Sequence, residues 1–250
     1  MAFFQPNPRF FFKGGERLKT ILKEIISKYS ANTEDSNIYA ADNMILISKI
    51  AGFLKDKKFA DLANKHFNDD PLHSSIIWRI HILAWAINHA KKIEGDLIEF
   101  GCYDAKVAEF LIEYNEIEKT DKKFHLFDIF NNPPTKDVGD KHSPNLYNEV
   151  DRNLSKYKCA KVVKGLLPDI YDPKKIEKIS FIHFDLNDAN TEIKLLEMVF
   201  EKVTAGGIII LDDYGHKGYE EQYKKEKLFF EKNFHSVAEL PTGQGLLIKI

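Results

Sequence analysis

From Asp96 onward the chain alternates short apolar runs with amphipathic stretches, and no other feature limits the fold as much. The runs are DLIEF (96–100), FHLFD (124–128), KVV (161–163), ISFIHFD (179–185) and GGIIILDD (206–213). Between them lie helix-periodic stretches such as AKVAEFLIEYN and NTEIKLLEMVFEKV. A strand covered by helices on both faces is apolar on both, so this pattern predicts a mostly parallel sheet in an α/β fold. The tail adds HSVAEL and GLLIKI, two further strands joined through PTGQ.

The first 94 residues read as helix after helix. ERLKTILKEIISKY (16–29) places Leu18, Ile21, Leu22, Ile25 and Ile26 on one stripe. NMILISKIAGFLKD and KKFADLANKHF carry a similar period over shorter lengths, and HSSIIWRIHILAWAINHAKKIEG (73–95) extends it to a stop at Gly95. The chain therefore divides into a helical extension, 1–94, and an α/β domain, 95–250. Trp78 and Trp85 share a face of the long helix and are expected in the core, with Arg79 beside them a candidate contact for an acidic ligand group. FNNPPTKDVGDKHSPNLYNE (130–149), long, polar and proline-rich, reads as a loop.

Composition excludes several classes. The 36 basic and 38 acidic residues leave a net charge of −2, which offers no footprint for nucleic acid or an anionic membrane surface. No apolar run approaches the ~20 residues that span a bilayer, and MAFFQPNPRFFFKGG lacks a signal-peptide core. The expectation is a cytoplasmic protein without membrane insertion. Two cysteines, Cys102 and Cys159, are too few for a disulfide framework or a thiolate zinc site.

In open α/β sheets, ligands bind beyond the carboxyl ends of the strands. Those ends carry, in order, Glu99-Phe100-Gly101, Asp128-Ile129, Gly165, Asp185 and Asp212-Asp213. A dinucleotide fold would place G-x-G-x-x-G after the first strand, where a pyrophosphate meets a helix N-terminus. EFGCYDAKVA has one glycine there, so a pyrophosphate site is poorly supported. Glu99-x-Gly101 followed by Asp128 suits a ligand with a ribose and a cationic group, Asp128 accepting from ribose hydroxyls. Asp212 and Asp213 repel each other where an oily strand surfaces, which calls for solvent, a proton or a metal ion as compensation.

DLIEFGCYDAKVAEF, FHLFDIF, ISFIHFDLNDANTEIKLLE and GGIIILDDYGHKGYEEQ together resemble the class I S-adenosylmethionine-dependent methyltransferases. More narrowly they resemble the macrocin O-methyltransferase family, over roughly residues 75 to 250. The resemblance implies a Rossmann-like fold with a mostly parallel seven-stranded sheet and an antiparallel C-terminal strand. It implies S-adenosylmethionine as cofactor, held by Glu99, Phe100, Gly101, Tyr103, Asp128, Ile129, Gly165 and Asp185. The acceptor it implies is a sugar hydroxyl, on a nucleotide-linked hexose or heptose destined for a surface polysaccharide, and the assembly a homo-oligomer. The chain departs from the family at Ala105-Lys106, where glycines are usual, and at Asn187, where the second acid of an Asp-x-Asp stands.

A sugar hydroxyl is a poor nucleophile at neutral pH, so the reaction needs a base or a cation that lowers the hydroxyl pKa. Asp185, Asp212 and Asp213 are the candidate metal ligands, an all-oxygen set suited to Mg²⁺. Asp185, Asp213 and His216 are the candidate catalytic residues, with His216 as base; Asp188 is a second base candidate or the N-cap of the following helix. His125 and His183, inside apolar strands, are expected to be satisfied core residues. Two other readings fit the same acids: a metal-dependent hydrolase or sugar-transfer enzyme built on the Asp pair, and a non-catalytic cofactor-binding subunit.

Overall fold

The computed structural model describes residues 38–42, 44–47, 49–130 and 145–250. These fall into two compact units, one ending at His81 and the other running from Ile82 to Ile250. The predicted helix at 16–29 lies outside the described residues.

In the first unit, strands β1 (Ile38–Ala41) and β2 (Met44–Ile47) pair antiparallel, followed by a 3-10 turn at Gly52–Lys55 and helix α1 (Lys57–Phe67). The helical period assigned to 43–56 is thus wrong. M-I-L-I is too short an apolar run to tell strand from helix by period, and its β-branched residues suit a ladder once a partner strand is present. Asp56 caps α1, accepting from the amides of Lys58 and Phe59. The stretch 73–95 is not one helix: α2 (Pro71–Ser75) ends at Ile76 and α3 (Ile77–Ala90) begins after it. Arg79 makes a two-pronged buried ion pair with Asp42, at 2.7 and 2.9 Å, so its guanidinium serves the packing of this unit. Trp78, half-buried, packs edge-on to Tyr39 and Phe53, whereas Trp85, expected in the core, is 45% exposed and stacks on His89.

The second unit is built on a seven-stranded sheet. Its strands are β3 (Asp96–Phe100), β4 (Phe124–Asp128), β5 (Ala160–Lys164), β6 (Ile179–Phe184), β7 (Val203–Leu211), β8 (Ala238–Glu239) and β9 (Gly245–Ile248), in the order β5-β4-β3-β6-β7-β9-β8. The first five are mutually parallel; β9 runs antiparallel to β7 and β8 antiparallel to β9. Helices α4 (Lys106–Asn115), α5 (Leu146–Leu154), α6 (Ala189–Val199) and α7 (Glu220–Lys232) connect them. The end of the expected loop 130–149 is helical from Leu146, because Leu146, Val150 and Leu154 form a buried stripe; residues 131–144 lie outside the described residues.

Every residue of β6 is buried, as are Ile208 to Leu211 of β7, which is why these runs are apolar on both faces. At the margin, β5 exposes Lys161 and Lys164, charges that guard a free edge. The chain enters the sheet at β3, moves outward to β4 and β5, then returns to place β6 on the other side of β3. The reversal opens a crevice between the carboxyl ends of β3 and β6.

Candidate active site

One side of the crevice is assembled from the ends of β3, β4 and β5. Gly101, at φ +92°, is fixed by the backbone: a Cβ there would sit 2.0 Å from the carbonyl oxygen of Asp185. Its role is to let the β3 and β6 ends cross, and Asp185 N donates to Phe100 O at 2.9 Å beside it. Asp128 is buried and gathers two loops, its Oδ2 accepting from Tyr103 N and its Oδ1 from Phe130 N, both at 2.8 Å. Tyr103, Ala105 and Phe130 all lie in the left-handed region, at φ +46°, +56° and +50°. Each such residue costs about 1–2 kcal/mol, and strain of this kind is stored where a ligand must be met. The structure thus keeps the turn that the family makes with glycine, but through Ala105.

Ile129 follows Asp128 half-buried, and Gly165, which donates to Asp128 O at 3.0 Å, is needed because a Cβ would meet Ile170 at 2.4 Å. Glu99, Gly101, Tyr103, Asp128, Ile129 and Gly165 therefore stand on three adjacent strand ends. Phe100 differs: its ring is wholly buried among Phe127, Tyr171 and Phe184, so only its backbone belongs to the rim.

The other side gathers the acids of β6 and β7. Glu99 Oε1 pairs with His183 Nδ1 at 2.8 Å, and His183 Nε2 stands 3.5 Å from Asp212 Oδ1, without hydrogen-bond geometry. Burial alone would strip the imidazole of its charge, but the pairings with Asp212 and Glu99 outweigh it and push the pKa up to about 10. Asp212, whose compensation the sequence leaves open, therefore faces a ring whose charged form it favours. Its Oδ1 also accepts from Gln244 Nε2 at 3.0 Å, and Gln244 Oε1 in turn accepts from Thr242 Oγ1 at 3.0 Å. Glu99 Oε2 is buried with no hydrogen-bond partner among the described residues.

His183, Asp185 and Asp212 each place one ligand-type atom within 4.8 Å of the others. Among the described residues Asp213, half-buried, does not join that group. Asp212 and Asp213 both lie in the turn that follows β7. Asn187 is exposed at φ +58°. Asp188 caps α6, accepting from Thr191 N at 2.7 Å, and that bond lowers its pKa.

The PTGQ segment (241–244) is more than a turn. His216 Nε2 lies 3.1 Å from Thr242 O, Gly215 N donates to Gly243 O at 2.6 Å, and a side chain at Gly243 would collide with the His216 ring. A carbonyl partner assigns the proton to Nε2 and leaves Nδ1 as the basic nitrogen. Behind this rim, Glu192 Oε1 accepts from Leu186 N at 3.0 Å and meets Glu226 of α7. Burial pushes Glu226 up to about 11, helped by Glu192.

The acids are legible in the sequence as strand ends; the base between them is not. His183 was legible only as a histidine two residues before Asp185, on the same strand face. Thr242 and Gln244 left no signal, since their partners are about thirty residues away.

A family model described as Macrocin-O-methyltransferase (TylF) matches residues 78–229. Among solved structures, the O-methyltransferase NovP is 16% identical with a TM-score of 0.55, over 69% of this chain and 80% of that one. CalS11, described as a TDP-rhamnose 3′-O-methyltransferase in calicheamicin biosynthesis, is 13% identical with a TM-score of 0.56, over 97% and 98%. The SAH-bound Podospora anserina methyltransferase PaMTH1 is 13% identical with a TM-score of 0.53, over 96% and 98%. No curated protein sequence matches.

Proposed function

The chain belongs to the macrocin O-methyltransferase family and is an S-adenosylmethionine-dependent O-methyltransferase, and from that premise we propose that its acceptor is a sugar hydroxyl. The observation that carries this is the two-sided rim: Asp128 and the strained Tyr103–Ala105 turn on one side of the crevice, Asp185, Asp212 and His216 on the other. The sugar named for CalS11 supports the same acceptor class. The finer reading is a nucleotide-linked hexose or heptose destined for a surface polysaccharide, handled by a cytoplasmic homo-oligomer. In this reading residues 1–94 are an extension and 95–250 the methyltransferase domain.

The donor occupies the β3–β4–β5 side. Asp128 takes the ribose hydroxyls, while Gly101, Tyr103, Ile129 and Gly165 line the path with Phe100 backbone. Glu99 Oε2, buried and unpartnered, takes the ammonium of the methionine moiety. Methyl transfer is an in-line displacement in which positioning supplies much of the rate. His216 Nδ1 removes the hydroxyl proton, the oxygen bonds to the methyl carbon, and the sulfonium leaves as a neutral thioether. Asp185 and Asp213 orient the acceptor. The cation expected from the sequence, Mg²⁺ at Asp185, Asp212 and Asp213, would lower the hydroxyl pKa when bound. Asp185 and Asp212 converge as such a set requires.

Purified protein incubated with methyl-labelled S-adenosylmethionine and a panel of nucleotide sugars tests the reading. Label is expected on a sugar hydroxyl, with His216→Ala slowing turnover by about 10²–10⁴-fold while calorimetric binding of SAH persists. SAH binding with no sugar labelled across the panel would overturn the acceptor class.

A further inference from the structure

The group nearest Asp185 and Asp212 is an imidazole, not a third carboxylate. His183 is 4% exposed, and its two ring nitrogens are in different situations. Nδ1 is engaged by Glu99 Oε1 at 2.8 Å, which leaves Nε2 facing the acids. Nε2 has no hydrogen-bond partner and stands at ion-pair distance, 3.5 Å, from Asp212 Oδ1. A carboxylate gripping the far nitrogen of a histidine is the outer arrangement that fixes ring and tautomer at metal centres.

We propose that His183 Nε2 is a metal ligand beside Asp185 and Asp212, and that this nitrogen selects a transition-metal dication such as Mn²⁺ or Zn²⁺ over Mg²⁺. The inference rests on the methyltransferase reading and deepens its metal site. Mg²⁺ favours oxygen donors in a near-ideal octahedron, whereas imidazole with carboxylates suits the first-row transition ions. Charge points the same way. Glu99, Asp185 and Asp212 bring three carboxylates around one imidazole, an excess that a dication offsets better than one proton on the ring. Glu99 becomes a positioning residue for the ion through His183, while its Oε2 serves the donor. The metal and the methyl donor would thus meet on the two sides of a single glutamate.

Pulsed electron spin resonance on the Mn²⁺-loaded full chain, with titration calorimetry of Mn²⁺, Zn²⁺ and Mg²⁺, tests this. Coupling to a coordinated imidazole nitrogen is expected in the parent protein and absent from His183→Asn, whose amide keeps a donor toward Glu99 but loses Nε2. Mn²⁺ is expected to bind about tenfold or more tightly than Mg²⁺, and Zn²⁺ more tightly still. Bound Mn²⁺ without nitrogen coupling, coupling that survives His183→Asn, or Mg²⁺ bound as tightly as Mn²⁺ would each overturn the proposal. Should the variant not fold, coupling in the parent and the calorimetric order decide. SAH affinity measured alongside separates the two readings: SAH bound with no nitrogen-ligated metal sinks this inference alone.

Discussion

Two places in this molecule bury acids, and they reach neutrality by different routes. At the rim, in the metal-free protein, His183 stands between Glu99 and Asp212, so opposite charge compensates them. Between α6 and α7, burial and the neighbouring Glu192 push Glu226 up to about 11, so there the acid gives up its charge. The difference follows from what each place has to do. A carboxylate that must meet a cation or an acceptor has to keep its charge, and a base on the next strand provides for that. A buried carboxyl with no ligand to meet can give up its charge.

The comparison can be broken most severely at His183. Replacing it with leucine leaves Glu99 and Asp212 buried without their base, turning the rim into a second acid pair. Removing one member of a buried ionic cluster costs about 3–5 kcal/mol. At about 2–4 °C per kcal/mol for a chain of this size, the melting temperature should fall by on the order of 10 °C in calorimetry. An unchanged melting temperature would show that the imidazolium is not what balances the rim.

Gln244→Glu is a gentler version of the same change, since it sets a carboxylate against Asp212 Oδ1 and removes the amide donor. The expected cost is about 1–3 kcal/mol, read from the denaturant midpoint at constant slope, with a smaller loss as pH falls and the new acid protonates. Equal loss at every pH would point to packing instead of charge.

At the helix pair the pH dependence has the opposite sign. Glu226 has an ordinary pKa of 4.5 when unfolded and about 11 in the fold. The stability that its proton supplies is full below the unfolded value, declines as pH rises, and is lost above the folded one. Glu226→Gln donates to Glu192 at any pH. Its melting temperature should therefore gain steadily on the parent as buffers move from about pH 5 to about pH 9. A constant difference across that range would mean that Glu226 is not held protonated in the fold.

The strands of the second unit were legible because a covered parallel strand must be apolar on both faces, as ISFIHFD and GGIIILDD are. The segment at 43–56 was not, because Met44–Ile47 becomes a strand only by pairing with Ile38–Ala41. At the site the contrast is finer. Asp128, Asp185 and Asp212 could be read as strand-end acids from their positions alone. Which acid meets which partner depends on facing and register: Glu99 lies opposite His183 and His183 opposite Ile210, one pleat before Asp212.

The sequence by itself determined the alternation of strands and helices, the order of acids along the carboxyl edge and the family to which they belong, because period and local chemistry are carried by neighbouring residues. The tertiary structure alone decided that Asp212 answers to His183 and Gln244, that Gly101 exists for the Asp185 backbone, and that PTGQ supports His216. Those pairings join residues far apart in the chain, and only the strand crossings, which fix distance and facing at once, bring them within reach of one another.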